Sequence, residues 1–243
     1  MQDWELQALL MSTQIACWAV LITTPVALAL CVWMTRARWP GHWLIDAACL
    51  LPMALPPTVL GFGLVMGLSE RGRLGHGLHE LTGWSLSFYP SGAVLAASLV
   101  CLPLMVRMMR PAFESMDPWL GALAQTLGAS PWKSWWTVTA PLIAPVVFSA
   151  MALGWAVAWG ESGATLVLAG LLHAKAPWLD GPATVSTGLL QALSHPDHIA
   201  GASRLAFVSL GVAVCAVLLS EASRRQWQQR WNSVRASQGS TQP

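Results

Sequence analysis

The stretch LQALLMSTQIACWAVLITTPVALALCVWM at residues 6–34 contains no Asp, Glu, Lys or Arg. The hydrocarbon core of a bilayer is roughly 30 Å thick, and an α-helix crosses it with about 20 apolar residues. A secretory signal begins with a positively charged segment, whereas residues 1–5 carry two acids and no base. The stretch is therefore predicted to be kept as a membrane-spanning helix.

Four further apolar stretches follow, and the composition of the chain agrees with them. Hydrophobic residues make up 55% of the 243 residues and charged residues only 10%, against about 25% charged residues in soluble domains. A soluble bundle of five buried helices is the alternative, but such a core also needs amphipathic helices around it. We predict an all-α, polytopic membrane protein with five spans: Leu6–Met34, Ile45–Leu68, Gly92–Val106, Leu142–Leu172 and Leu205–Ser220.

Lysine and arginine residues concentrate on one side of these spans. The loops after spans one, three and five carry Arg36, Arg38, Arg107, Arg110, Lys133, Arg224, Arg225, Arg230 and Arg235. The opposite loops carry fewer, namely Arg71, Arg73, Lys175 and Arg204. Because positive loops stay in the cytoplasm, the N-terminus is predicted outside and the C-terminus inside. Residues 1–223 are predicted as the transmembrane domain, and the polar residues 224–243 as a disordered cytoplasmic tail.

The residues disfavour several functional classes. The formal net charge is only +2, and the sequence has no block of basic residues interleaved with aromatic residues. It therefore lacks the basic patch that nucleic-acid binding requires. The histidine pairs at residues 76 and 79 and at residues 195 and 198 offer too few ligands for a metal. Residues 128–134, GASPWKS, lack the second glycine of a phosphate loop. No Ser, His and Asp set suggests nucleophilic chemistry, so neither an enzyme nor a cofactor in this chain is predicted.

The cytoplasmic loop between spans three and four, about residues 111–141, contains two helix starts. Asp117-Pro118 supplies an N-cap acceptor followed by a proline at the first helical position. Ser130-Pro131 repeats this arrangement thirteen residues later. The loop is therefore predicted to form two short helices.

The end of each short helix is also predicted from the sequence. Gly128 stands where a left-handed C-terminal cap is expected, and Pro141 is predicted to end the second helix. On the first helix, one apolar face is shared by Trp119, Leu120, Leu123 and Leu127. Two interpretations stay open for this face, which could dock on a partner protein or lie on lipid headgroups.

The segment LAQTLGASPW at residues 123–132, continuing to TAPL at residues 139–142, resembles the EAA loop of ABC importer permeases. That loop has a glycine and, thirteen residues later, a proline, and Gly128 and Pro141 have this spacing. The usual glutamate of the motif falls on Ala122. The resemblance implies that the loop docks on a cytoplasmic ATPase through Leu123, Ala124, Thr126, Leu127, Gly128, Ala129, Trp132 and Pro141.

Four other segments resemble the molybdate branch of that family: LPPTVLGF at residues 55–62, RGRLG at 71–75, PLMVR at 103–107 and GESGAT at 160–165. The resemblance covers nearly the whole chain and implies a type I importer fold and a homodimer whose interface forms the pathway. It also implies separate ABC ATPase subunits that bind ATP, an extracytoplasmic molybdate-binding protein, and a place in the bacterial inner membrane. Permeases for sulfate or tungstate match less well and remain the alternative, followed by a stand-alone secondary transporter or channel.

Two features inside the spans are costly in lipid. Glu161 is an acid predicted near membrane depth, so it should face a cavity or a partner, and its neighbouring glycines permit close approach or a bend. Pro56 and Pro57 remove two backbone donors, which a membrane tolerates where the backbone is buried in protein or faces water. An interfacial cap for Glu161 and a packing kink for the prolines are the alternatives. We predict a pathway wall or gate formed by Pro56, Pro57, Gly61, Gly160, Glu161 and Gly163.

Overall fold

The computed structural model describes residues 3–36, 42–68, 90–164, 184–193 and 199–239, with the single positions 72, 76, 77, 80 and 167. Every long element in this part of the chain is helical. The helices are α1 (Asp3–Arg36), α2 (His42–Ala54), α3 (Pro57–Leu68), α4 (Pro90–Glu114), α5 (Pro118–Thr126), α6 (Pro131–Gly160), α7 (Val185–Leu193) and α8 (Ile199–Gly239). Some residues used in the predictions lie outside the described part: Arg38, Arg71, Arg73, His79, Thr165, Lys175, His195 and His198.

Four helices are long and apolar enough to cross a membrane, and the count becomes five when the bent pair α2–α3 is one span. The long helices α1, α4, α6 and α8 contain the first, third, fourth and fifth predicted stretches, or most of them. The predicted fold class, an all-α polytopic membrane protein, is confirmed.

The core lies where α1, α4 and α6 meet, and small residues let these helices approach closely. Gly154 of α6 leaves so little room that a Cβ there would lie 2.9 Å from the side chain of Met105. Between α1 and α4, the Thr23 hydroxyl donates to the Ser98 carbonyl at 3.4 Å, and the Ser98 hydroxyl contacts the Ala19 carbonyl at 3.4 Å. The helices that carry the sites below are therefore held in a tightly packed bundle.

Two predicted spans are wrong in their continuity or extent. The second is divided by Leu55 and Pro56 into two helices bent by 104°. Proline disfavours the helical conformation in the residue before it and supplies no N–H, so consecutive prolines at this point break the helix. In the fourth, the helix ends at Gly160, because Glu161 has an extended backbone with φ −64° and ψ 123°. The predicted end at Leu172 lies outside the described residues.

The predicted disorder after Ser223 also differs from the structure, in which α8 continues to Gly239. Glu221 accepts hydrogen bonds from Arg224 and Arg225 within one helical turn, at 2.9 to 3.1 Å. Such i,i+3 and i,i+4 pairs support a helix, and no proline lies between Ser223 and Gly239. Once started by the apolar span, the helix can therefore extend into the polar sequence.

Ion pairs tie the helices together at both ends of the bundle. At one end, the Arg204 guanidinium of α8 donates to Glu5 of α1 at 2.7 Å, and the Glu5 side chain is almost fully buried. At the other end, Arg110 of α4 donates to Asp46 of α2 and to Glu114. This second group holds the start of the bent pair against α4, next to the loop that begins after Glu114.

Candidate coupling surface and pathway wall

The short helix α5 begins as the sequence predicts. The Asp117 side chain accepts a hydrogen bond from the Trp119 amide at 2.9 Å, while Asp117 itself stays extended at φ −70° and ψ 119°. The second start is also confirmed, because the Ser130 hydroxyl accepts from the Lys133 amide at 3.2 Å. Both caps satisfy amides that a helix leaves unpaired in its first turn.

Gly128 has a φ of +89°, so the predicted left-handed cap is confirmed. The Gly128 amide donates to the Gln125 carbonyl and the Ala129 amide donates to the Ala124 carbonyl, both at 3.0 Å. This pair of bonds is the Schellman motif, which needs a residue with positive φ at its centre. A Cβ on Gly128 would meet no atom within 4 Å, so the demand for glycine is conformational and not steric.

Two contacts that sequence reasoning missed hold the start of α6, one against α5 and one against α4. The buried Ser134 hydroxyl donates to the Gly121 carbonyl of α5 at 3.2 Å. The Trp135 ring stacks on Phe113 of α4, with ring centroids 6.2 Å apart and an interplanar angle of 16°. The helical spacing of Ser134 after the Ser130 cap is a signal too weak to have identified this contact in advance.

The apolar side chains of this segment point away from the protein. Leu127 is 81% exposed and Trp132 is 70% exposed, and the neighbouring Trp136 packs edge-to-face on Trp132 with centroids 5.6 Å apart. Trp119 and Leu123 are exposed as well. We call the exposed apolar residues of this segment the coupling surface: Trp119, Leu123, Leu127, Trp132 and Trp136. Large exposed apolar patches of this kind mark contact sites for a protein or a membrane.

Pro141 does not end the second helix, and that prediction is wrong. The helix widens into a π-helical stretch at Trp135–Thr139, in which the Ala140 amide donates to the Trp135 carbonyl five residues back. In a regular α-helix the Pro141 ring would clash with the preceding turn, and its missing N–H would leave one carbonyl without a hydrogen bond. The π-helical turn changes the hydrogen-bond pattern at this point. The helix therefore runs without a break from Pro131 to Gly160.

A second site forms where the break after α2 meets the end of α6. A Cβ added to Gly163 would lie 2.3 Å from the Pro57 Cβ. A Cβ added to Gly61 would lie 2.7 Å from the Ala164 Cα. The structure thus brings together the segments LPPTVLGF and GESGAT, which are far apart in the sequence. We call this contact the pathway wall, made of Pro57, Gly61, Gly163 and Ala164.

One side of the wall is open in the single chain. Residues 55–59 are exposed, whereas Leu60 and Gly61 are buried against the segment that follows α6. Pro56 lies at the break itself, and its carbonyl accepts from the Val59 and Leu60 amides at 2.9 and 3.1 Å. An irregular backbone with one packed face and one open face fits a wall beside water or a second subunit.

Glu161 lies beside the wall with only 8% of its surface exposed. Its carboxylate accepts a hydrogen bond from the Ala164 amide at 3.0 Å, which caps the short turn that follows. Gly160 differs from Gly163, because a Cβ there would meet nothing within 4 Å. Of the six residues predicted as a gate, Gly160 is therefore next to the site without being packed into it.

The family described as the binding-protein-dependent transport system inner membrane component matches residues 20–220. The chain belongs to this family. Its bundle, coupling surface and pathway wall all lie mainly within the matched residues, and the resemblance seen in the EAA-like loop is confirmed at this level. As a multi-span component of a bacterial inner-membrane transport system, it is a membrane subunit that works with a binding protein.

This transport component is similar to two molybdenum permeases in particular. It is 34% identical to the molybdenum transport system permease protein ModB of Escherichia coli, over 90% of this chain and 93% of that protein. The protein of the same name in Haemophilus influenzae is 30% identical over 93% of this chain and 96% of its own length. A probable sulfate transport system permease protein of Chlorokybus atmophyticus is 33% identical over 74% of this chain and 60% of its own length.

Solved structures support the fold of this transport component. A chain of a bacterial alginate ABC transporter, crystallised with an alginate-bound periplasmic protein, aligns over 93% of this chain and 81% of its own, with a TM-score of 0.63 and 16% identity. A chain of an amino acid ABC transporter aligns over 93% and 94% with a TM-score of 0.52 and 14% identity. At these identities the likeness shows the shared fold alone.

Proposed function

We propose that this chain is the transmembrane permease subunit of an ATP-driven importer of molybdate. The observation that carries the proposal is the unbroken helix Pro131–Gly160, which joins the coupling surface at one end to the pathway wall at the other. This helix has 30 residues and spans about 45 Å at roughly the 1.5 Å per residue of an α-helix. A movement imposed on the coupling surface is thereby passed along one helix to the wall beside Gly163.

Molybdate is proposed as the substrate from the relatives. The two molybdenum permeases match over nearly their whole length, whereas the sulfate permease matches over 60% of its own. Sulfate is the second candidate, because that relative is nevertheless 33% identical. Tungstate remains an alternative substrate beside sulfate.

The partners follow from the exposed surfaces. The exposed tryptophans and leucines of the coupling surface are proposed to dock on cytoplasmic ABC ATPase subunits, which bind and hydrolyse ATP in place of this chain. The open face at residues 55–59 is proposed to meet a second copy of the chain, so that the pathway runs along the interface of a homodimer. An extracytoplasmic molybdate-binding protein delivers the oxyanion, and this chain holds no cofactor.

The orientation is proposed from the arginines and from the coupling surface. ATPase subunits work in the cytoplasm, so the end that carries Lys133, Arg110 and Arg224 is placed there. The N-terminus and the pair formed by Glu5 and Arg204 then lie outside. A reporter fused after Val234 should be active on the cytoplasmic side only, and activity outside would reverse the assignment.

The direct test is transport by the reconstituted complex. The permease is inserted into vesicles with its ATPase, and the binding protein is added outside, either empty or loaded with molybdate or sulfate. Molybdate-loaded binding protein is expected to stimulate ATP hydrolysis and uptake, and sulfate should compete weakly. Stimulation by sulfate alone would support the second candidate, and uptake without any ATPase would contradict an ABC permease.

Glu161→Gln tests whether the acid acts in the pathway. Glutamine keeps the oxygen that accepts from the Ala164 amide and removes the charge, so thermal stability in detergent is expected to stay close to that of the unmodified chain. Uptake is expected to fall by about tenfold, which is the effect of roughly 1.4 kcal/mol on a barrier.

The control for this prediction is Glu161→Ala, which removes the cap as well and should lower stability by about 1 kcal/mol. If Glu161→Gln itself unfolds the protein, the acid is a buried pairing partner, whose loss costs about 3 to 5 kcal/mol. Unchanged stability with unchanged uptake would also contradict a role in the pathway.

A further inference from the structure

A cavity of about 580 Å³ opens between α4, α6 and α8, at the same end of the bundle as the coupling surface. Small-molecule sites in proteins commonly occupy about 300 to 1,000 Å³. The cavity is separate from the pathway wall, which lies at the other end of α6. Its lining is divided between a charged mouth and an apolar interior.

The mouth carries a net positive charge. Arg107, Glu221 and Arg224 line it, and the Glu221 carboxylate is already hydrogen-bonded by Arg224 at 2.9 Å and by Arg225 at 3.1 Å. Arg107 forms no ion pair with any residue that the structure describes. An exposed arginine at the mouth is thus available to an anionic group.

The interior is an apolar slot. Leu104, Leu153 and Val217 line it, and the hydroxyls of Ser149 and Ser220 bond to each other at 2.8 Å. Along α8, Val217 and Arg224 are separated by seven residue steps, which correspond to a depth of about 10 Å at roughly 1.5 Å per residue. A slot of this kind suits a hydrocarbon chain better than a hydrated oxyanion.

The position of the mouth agrees with the level of lipid headgroups. Trp227 lines the cavity and packs beside Ile143 and Val146 at the end of the apolar part of α8. Tryptophan is enriched where a membrane helix meets the interface. Basic pockets between membrane helices on the cytoplasmic side are known to hold anionic headgroups.

We propose that this cavity binds one anionic phospholipid of the cytoplasmic leaflet, with its phosphate on Arg107 and one acyl chain along Leu153 and Val217. The assignment of this lipid to the cytoplasmic leaflet rests on the proposed orientation of the chain. The pairing of its phosphate with Arg107 does not depend on that orientation. A lipid seated here contacts α4, α6 and α8 together and so braces the helix that carries the coupling surface. Transported oxyanion is disfavoured as the occupant, because a tight site at this end would retard release.

The test compares Arg107→Gln with Arg36→Gln, which removes an exposed arginine from the end of α1 outside the cavity. The purified, delipidated chain is titrated with dioleoyl phosphatidylglycerol or phosphatidylcholine, and bound lipid is counted by native mass spectrometry. One tightly held phosphatidylglycerol is expected. Its affinity should fall by about fivefold in Arg107→Gln, the effect of losing one arginine near the lipid surface, and should be unchanged in Arg36→Gln.

Two further arms separate a lipid from a free anion. Val217→Trp fills the end of the slot away from the arginines, where Val217 is half-exposed, and keeps every charge, so it is expected to abolish the tightly held lipid. Inorganic phosphate and molybdate should neither bind the delipidated chain nor displace phosphatidylglycerol. Equal lipid binding by Arg107→Gln and the unmodified chain, or phosphate binding that depends on Arg107 and survives Val217→Trp, would overturn the proposal. Neither result depends on whether molybdate is transported.

Discussion

Gly163→Ala is expected to abolish uptake and to lower the thermal stability of the permease. The added Cβ would lie 2.3 Å from the Pro57 Cβ and 3.4 Å from the Pro57 backbone. Proline is a rigid ring at the start of a helix, so it cannot yield as a long side chain would, and the two segments must separate. Overpacking costs about 1 to 3 kcal/mol, which should lower Tm by roughly 5–10 °C at the upper end of that range.

The matched control for this prediction is Gly160→Ala, three residues earlier, where a Cβ meets nothing within 4 Å. The same comparison is available on α3, because a Cβ on Gly61 would contact the Ala164 backbone at 2.7 Å whereas Gly63 is open. Gly160→Ala and Gly63→Ala should keep both Tm and uptake. If Gly163→Ala and Gly160→Ala behave alike, the wall is not packed as described.

Much of the fold could be predicted because lipid imposes simple rules on sequence. The charge-free stretch at residues 6–34 lies within one helix, α1, and local capping chemistry identified the starts at Asp117 and Ser130. These signals depend on neighbouring residues only. The left-handed Gly128 belongs to the same group, since its cap is formed by α5 itself.

The errors arose where the outcome depended on contacts or on competition between effects. The consecutive prolines Pro56 and Pro57 break their helix by 104°, whereas the single Pro141 is accommodated by a π-helical stretch that the local sequence did not predict. Glycine at residue 163 could be identified as a possible close contact, but its partner Pro57 lies more than one hundred residues away. The arrangement of the wall and the Ser134 contact could not be found without the fold.

The end of α6 at Gly160 separates this long helix from the segment that contains Glu161 and Gly163. A helix that continued to Leu172 would have placed Glu161 inside a rigid rod, but the structure ends the rod at Gly160 and turns Glu161 back to cap the next segment. Movement of α6 can therefore change the contact between Gly163 and Pro57 without bending a helix. The coupling surface and the wall lie at opposite ends of α6.

Gly128→Val is expected to weaken association with the ATPase by about tenfold and to reduce uptake correspondingly. A β-branched residue at φ +89° carries backbone strain of about 1 to 3 kcal/mol, and tenfold in affinity corresponds to about 1.4 kcal/mol. Since no neighbour crowds the position, the strain acts on the Schellman turn alone, and α5 should tilt away from its contact with Ser134.

Gly128→Asn separates backbone conformation from side-chain bulk, because asparagine enters the left-handed region more readily than other residues with a Cβ. It should retain most ATPase association, measured by co-purification, and most uptake in vesicles. Gly121→Ala is a second control on α5, since its Cβ would meet the Ser134 hydroxyl at an ordinary 3.8 Å. All three variants should keep the Tm of the isolated permease within a few degrees, because the coupling surface lies outside the core formed by α1, α4 and α6. Normal ATPase binding and uptake by Gly128→Val would show that the left-handed turn does not position the coupling surface.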